Sequence, residues 1–376
     1  MITKREDILN AMAVLELVPE RPGMSASEYI KVTTSGSKMQ MSLASEVLGE
    51  VEISIKGKFP CKQPFYIHRQ VAEPFFRAGR DTKKDFEWTA EESQTKKKGK
   101  IVLSSSLKIK QGRREALLST LPEVMGYGKI KVERGGLVVK LSDEQRSLIR
   151  AAHNSAGMDP SSPELNCVYL TSKGIVMSYN TVTMFVGKAT RFQESIPFPL
   201  HLLTMLQHAK NPKIHLQKDK VILEFDEGMI SQTLSVKARK DFPVKGVLDK
   251  IKNVDKLPKI CEVNAGRLFK SMDRFTKYMS SVRRQDSILK LRVDKGSKEM
   301  ILEALVPHTQ LMETVRLEEK AKHNMKGDWP LDAVIPIIQF IGSQKQTITL
   351  STNEEKKTPY YVTTDDVTLL IARRAK

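Results

Sequence analysis

Asn264-Ala-Gly-Arg-Leu-Phe-Lys-Ser-Met-Asp-Arg-Phe-Thr-Lys-Tyr-Met279 is the stretch on which the reading of this chain turns. Leu268, Met272, Phe275 and Met279 recur at i, i+4, i+7 and i+11, an apolar stripe of helical period. Arg267, Lys270, Arg274 and Lys277 recur at i, i+3, i+7 and i+10 and form a second, basic stripe. Solvated helix faces usually interleave acids with bases, and here only Asp273 intrudes. A positive row on an otherwise packed helix suits contact with phosphates, which positions a protein on a polyanion without reading its sequence.

Outward from this helix the pattern recurs. Helical spacing opens each third of the chain, at residues 4–15, 143–156 and 264–281. Strands of period two follow, such as 51–55 and 288–293. A second helical stretch comes next, at 70–78, after Pro199, and at 331–341. Further strands close each third, among them 106–109, 213–216, 221–225, 233–236, 347–351, 360–362 and 368–371. The unit is helix, strands, helix, strands at roughly 125 residues, too long for a solenoid repeat. The expected fold is α+β: three similar domains over 1–133, 134–258 and 259–376, with helices on one face of antiparallel sheets. The helix opening the middle third repeats the basic theme with Arg146, Arg150 and His153, set against Leu148, Ile149 and Ala152. In the first third the theme is weaker, with Lys4 and Arg5 beside Glu6 and Asp7.

The 376 residues carry 62 Lys+Arg against 44 Asp+Glu, a net charge of +18. Each third holds an excess of six basic residues, so the charge is spread along the chain instead of loaded on a tail. An even positive load points to one long polyanionic partner, because each neutralised phosphate releases condensed counterions. The run Thr95-Lys-Lys-Lys-Gly-Lys100 reads as a solvated hairpin loop. Aromatic residues are 6% of the chain, few for the stacking platforms of single-strand binders. Cys61, Cys167 and Cys261 form neither a CxxC nor an even framework, which fits a reducing cytoplasm. The mixed charges of residues 4–7 argue against a secretory leader, and no apolar run approaches the roughly 20 residues of a membrane helix.

Enzymatic motifs do not surface. There is no GxxxxGK[ST], no GxGxxG after a strand, no HExxH and no GxSxG. Ser105-Ser-Leu-Lys108 fits SxxK but lies in an alternating strand, and Asp365-Asp366 reads as a turn. The seven histidines keep no ligand spacing with cysteines or carboxylates. No catalytic residue, no metal and no cofactor is expected, and the chain reads as a non-enzyme.

With these residues in place the layout resembles the sliding-clamp family, the beta subunits of bacterial DNA polymerase III. The resemblance rests on Cys167-Val-Tyr-Leu-Thr-Ser-Lys-Gly-Ile-Val-Met-Ser-Tyr-Asn180 continuing to Phe185, on Ile196-Pro-Phe-Pro-Leu200, and on Val221-Ile-Leu-Glu-Phe225 followed by Lys240-Asp-Phe-Pro243. It also rests on Cys261-Glu-Val-Asn264 leading into the basic helix, on Leu331-Asp-Ala-Val334, and on residues 367–374. It covers most of 134–376 and is fainter over 1–133. Two segments depart from the family pattern. Asn180-Thr-Val-Thr-Met184 stands where a Gly-His-Arg-Leu-like turn is usual, and Ile371-Ala-Arg-Arg374 stands where the family ends in a Met-Pro-Met-like run. The chain is also basic where the family is typically acidic, a divergence that suits a bacteriophage member.

The resemblance implies antiparallel sheets outside and helices lining a central hole, with two subunits closing a homodimer ring around double-stranded DNA. Arg146, Arg150, Arg267, Lys270, Arg274 and Lys277 would face the DNA. A pocket lined by Leu148, Tyr179, Met184, Val247, Leu369 and Ile371 would receive a peptide from the DNA polymerase. Edge strands of the first and third domains would join the subunits, and a clamp-loader ATPase is a further implied partner. The alternative is a monomeric processivity factor of the same domain type that grips DNA by charge alone, a reading the +18 charge favours.

Overall fold

The computed structural model describes residues 1–16, 18, 25–35, 37–45, 49–57, 64–77, 84–97, 100–119, 137–157, 167–206, 211–217, 220–225, 228–233, 242–280, 288–306 and 309–373. Cys61, Lys98, Gly99, Lys240, Asp241, the expected strand at 234–236 and the expected cut at 133 lie outside them. Two compact units emerge. One comprises Met1–Lys140 with Thr204–Leu234, and the other Leu141–Leu203 with Ser235–Lys376.

In the first unit an eight-stranded antiparallel sheet runs, in hydrogen-bonded order, Phe65–His68, Tyr29–Ser35, Lys38–Ser45, Gly49–Lys56, Gly228–Thr233, Lys220–Phe225, Lys213–Leu216 and Leu137–Lys140. Alternation explains it: Ile30, Val32, Met39, Met41, Leu43, Val51, Ile53 and Ile55 are buried, with polar residues between them. The Arg5–Leu15 helix buries Ile8, Ala11, Met12 and Leu15, the stripe its spacing predicts. A four-stranded sheet of Ile2–Thr3, Phe86–Lys97, Lys100–Gln111 and Arg114–Ser119 completes the unit. Arg69, at the start of the Arg69–Arg77 helix, is buried and donates to Val18 O at 2.6 Å and Glu16 O at 3.0 Å. That guanidinium satisfies carbonyls just beyond the first helix, so it is structural and not a phosphate ligand.

In the second unit the order is Ile196–Pro199, Cys167–Leu170, Ile175–Tyr179, Thr183–Lys188, Val367–Ile371, Tyr360–Thr363, Thr347–Ser351 and Lys259–Asn264. This repeats the first unit strand for strand: four strands from one third of the chain, then four from the next in reverse. The middle third thus supplies four strands to each sheet, which is why the two units do not follow the three expected segments. A four-stranded sheet of Thr309–Arg316, Glu299–Val306, Ile288–Val293 and Met325–Pro330 completes this unit. Gly174, at φ +81°, makes the turn into the Ile175–Tyr179 strand, and a Cβ there would lie 2.4 Å from Ala189 O. The Ala265–Ser280 and Leu331–Ser343 helices approach at Gly342, where an added Cβ would meet Gly266 Cα at 3.2 Å. Cys167 and Cys261 are buried, and burial, with Glu262 adding to it, pushes the Cys261 pKa up to about 12.

The Asp143–His153 helix is clamped to the second sheet at Gly187, whose added Cβ would lie 2.7 Å from Leu148 Cδ1. Gly187→Ala therefore overpacks a closed contact and is expected to cost about 1–3 kcal/mol. Gly246, on the exposed side of the Val244–Ile251 helix, has only Pro243 Cβ at 3.7 Å, and Gly246→Ala should stabilise by about 0.5–1 kcal/mol. Denaturant midpoints of the two variants check both signs.

Candidate nucleic-acid interface

The Ala265–Ser280 helix starts where Asn264 Oδ1 accepts a hydrogen bond from Arg267 N at 3.1 Å. Its inner face buries Ala265, Leu268, Met272 and Phe275. Arg267, Lys270, Arg274 and Lys277 are all exposed, as their spacing predicts. The Met279 side chain lies outside the described residues.

The outer face is less freely positive than the sequence suggests. Arg267 Nη1 donates to Glu318 at 3.2 Å, and Lys277 Nζ to Asp273 at 2.7 Å. Arg274 grips Glu313 with two nitrogens, Nε at 3.1 Å and Nη2 closer still. Ser271 Oγ donates to the same carboxylate at 2.6 Å. Glu313 sits on the Thr309–Arg316 strand, some 40 positions along the chain, so helix spacing alone does not reveal it. The hydrogen bond from Arg274 holds the Glu313 carboxyl below its ordinary range against a partial opposing effect of burial, and the same bond raises Arg274. Among the described residues, Lys270 has no carboxylate partner.

The Asp143–His153 helix opens with a capping box: Ser142 Oγ accepts from Gln145 N at 3.1 Å, and Gln145 Oε1 from Ser142 N at 2.9 Å. Arg146 pairs with Asp143, while Arg150 is exposed and, among the described residues, has no acidic partner. His153 turns inward, and burial lowers its pKa. Of the basic residues expected to face DNA, Arg150 and Lys270 therefore carry charge not already engaged.

The six expected pocket residues do not share one face. Residues opposite each other in an antiparallel pair project to the same side. Phe185 faces Leu369 and Thr183 faces Ile371, and this side carries Gly187 against Leu148. Leu148, Leu369 and Ile371 are thus core beneath the helix. Met184 faces Leu370 and Tyr179, and this other side gathers Met177, Val186, Phe242, Val247 and Tyr361 into one apolar cluster. Period two in the closing strand selects Leu370, which the sequence reading passed over for its neighbours. Phe242 stacks on Tyr169 with centroids 4.6 Å apart and meets Tyr179 edge-on at 5.5 Å. Val182, at the tip between Tyr179 and Thr183, is exposed, and its carbonyl accepts from Ala372 N at 2.8 Å. A groove of about 1100 Å³ adjoins the cluster at Val186, Ile251 and Val254.

No group of three or more His, Cys, Asp or Glu among the described residues is placed to hold a metal ion. No helix among them is long and apolar enough to cross a membrane.

No family model and no curated protein sequence matches the chain. Solved structures do match it from end to end. The DNA polymerase III beta subunit of Thermotoga maritima is similar with a TM-score of 0.71 at 10% identity, covering 100% of this chain and 99% of that one. A DNA polymerase sliding clamp from Caulobacter crescentus gives 0.69 at 14%, covering 100% and 99%. The DNA polymerase III subunit beta of Pseudomonas aeruginosa gives 0.67 at 13%, covering 100% of both chains. The chain has the sliding-clamp fold: α+β, with helices and antiparallel sheets.

Because the folded Glu313 value is depressed, the contact with Arg274 contributes stability above the ordinary carboxylate range. That contribution is lost as pH falls through the folded value. An NMR titration should find Glu313 protonating below an ordinary glutamate, and Arg274→Ala should move it upward. Identical titration in both proteins would remove the pair as the cause.

Proposed function

We propose that the chain is a processivity factor of the sliding-clamp type, a non-enzymatic ring that encircles duplex DNA and tethers a replicative polymerase. The observation that carries this reading is the end-to-end likeness to solved clamps, supported by the exposed basic row of the Ala265–Ser280 helix. Three domains, 1–133, 134–258 and 259–376, are the repeating units. Arg150 and Lys270 are the cations first available to phosphate, with Arg146, Arg267, Arg274 and Lys277 joining by exchange of partners.

Topology supplies an argument for the ring. Each eight-stranded sheet is two four-stranded halves joined through an antiparallel pair, Thr183–Lys188 with Val367–Ile371 and Gly49–Lys56 with Gly228–Thr233. The two four-stranded sheets are such halves left separate within one chain. By the same order, their joining strands are Thr309–Arg316 and Arg114–Ser119, both edges among the described strands. Met312 is 61% exposed on the first and Leu117 64% on the second. Pairing the edge of one copy with that of another satisfies both rows of backbone groups and covers both side chains. A homodimer joined twice in this way is closed. The monomeric grip is the weaker reading, because three of the four cations in the basic row are already paired with carboxylates.

The polymerase peptide is assigned to the apolar cluster around Tyr179, Met184 and Val247, with Leu370 in place of Leu369 and Ile371. A clamp-loader ATPase is the further partner this reading implies.

Duplex-DNA binding tests the proposal. Arg150→Ala with Lys270→Ala should weaken binding equally on unrelated sequences. It should also flatten the slope of log affinity against log salt by about 1.8, close to 0.9 per phosphate contact. Unchanged binding, or a loss confined to one sequence, would contradict it.

A further inference from the structure

The carboxylates against the basic row have a role that stability alone does not explain. Arg267 and Arg274 lie seven residues apart, about two helical turns, so they share one exposed face. Each guanidinium is met by an acid from outside the helix, Glu318 and Glu313. Glu313 is not a passing surface ion: Ser271, itself buried, donates to it at 2.6 Å while Arg274 binds both of its oxygens. The alternation of the strand, with Leu311, Glu313 and Val315 on one side, aims it at the helix. A carboxylate offers a guanidinium the same two-oxygen fork that a phosphate does.

We propose that Glu313 and Glu318 are resident competitors for DNA phosphate, holding Arg274 and Arg267 in place while keeping the grip on duplex weak. This rests on the sliding-clamp reading of the same helix. A phosphate reaching Arg274 displaces an equivalent partner instead of filling a vacancy, so the exchange returns only the difference between two exposed ion pairs. The displaced carboxylate stays beside the DNA and repels it. Each contact is then easily handed to the next phosphate, which a sliding protein needs and a static binder does not. Lys270, between the two arginines on the row, is left as the cation that meets phosphate without such competition.

Neutral isosteres separate this from a merely structural ion pair. Glu313→Gln retains an acceptor for Ser271 and removes the charge, and Glu318→Gln retains an acceptor for Arg267 and removes the charge at the more exposed site. Each variant should bind a duplex of arbitrary sequence about three- to tenfold tighter at low salt, and the double variant more tightly still. The slope of log affinity against log salt should steepen by about 0.9 per freed guanidinium. Adding Arg274→Ala to Glu313→Gln should abolish that variant's gain. Both single variants should keep the helical circular dichroism of the parent, and Glu318→Gln carries the test if Glu313→Gln folds poorly. Unchanged or weaker DNA binding by folded Glu318→Gln and Glu313→Gln would overturn the competitor role. The Arg150 and Lys270 variants report on the clamp reading separately. A loss of binding there, with no gain in the glutamine variants, rejects only this inference.

Discussion

Main-chain hydrogen bonding at strand edges is the constraint on which this molecule depends. A four-stranded antiparallel sheet ends in a strand whose N–H and C=O groups face outward, and such an edge needs a partner, a cover or water. In each compact unit the partner is a strand from the following third of the chain, as Thr183–Lys188 meets Val367–Ile371 with five residues in register. The junction also sets the side-chain layers. Phe185 and Leu369 fall under the Asp143–His153 helix, while Met184 and Leu370 fall on the face carrying Phe242 and Val247. A slip of one residue would exchange the two layers, so the apolar cluster proposed for partner binding is a consequence of the register.

Electrostatics at the basic helix follow a second economy. The chain's +18 already sets every acid against every base, so local pairing decides which cations of the row are open to a polyanion. Strand-borne Glu313 and the nearby Glu318 engage two of the four cations of the row, and Asp273 a third. Exposed ion pairs of this kind contribute little to stability. They fix where the guanidinium groups stand, and on the proposed reading they also limit how strongly a phosphate is held.

Much of this was legible in the sequence. Helices expected over 264–281, 331–341 and 4–15 are found at Ala265–Ser280, Leu331–Ser343 and Arg5–Leu15, and strands over 213–216, 288–293 and 347–351 match residue for residue. Long amphipathic stripes and alternating β-branched runs report their own periodicity, so these elements were readable. Partners from distant segments were not. Glu313 reaches Arg274 only because a strand folds back across the helix, and Arg69 caps carbonyls more than fifty positions earlier. The candidate pocket was half legible for a related reason. Leu369, Leu370 and Ile371 are all buried, so hydrophobicity could not choose among them; only pairing with Thr183–Lys188 assigns their faces. The division into two units was hidden too, because it depends on which repeats share a sheet.

On the proposed reading, the two four-stranded half-sheets, whose joining strands are edges among the described strands, are completed by a second copy. Sedimentation equilibrium of the full chain, at low and moderate salt, tests it most directly. A single species of twice 42.5 kDa at both salts is the predicted result, since main-chain pairing and apolar burial, not surface charge, would hold the two copies together. A monomer throughout the concentration range would contradict it.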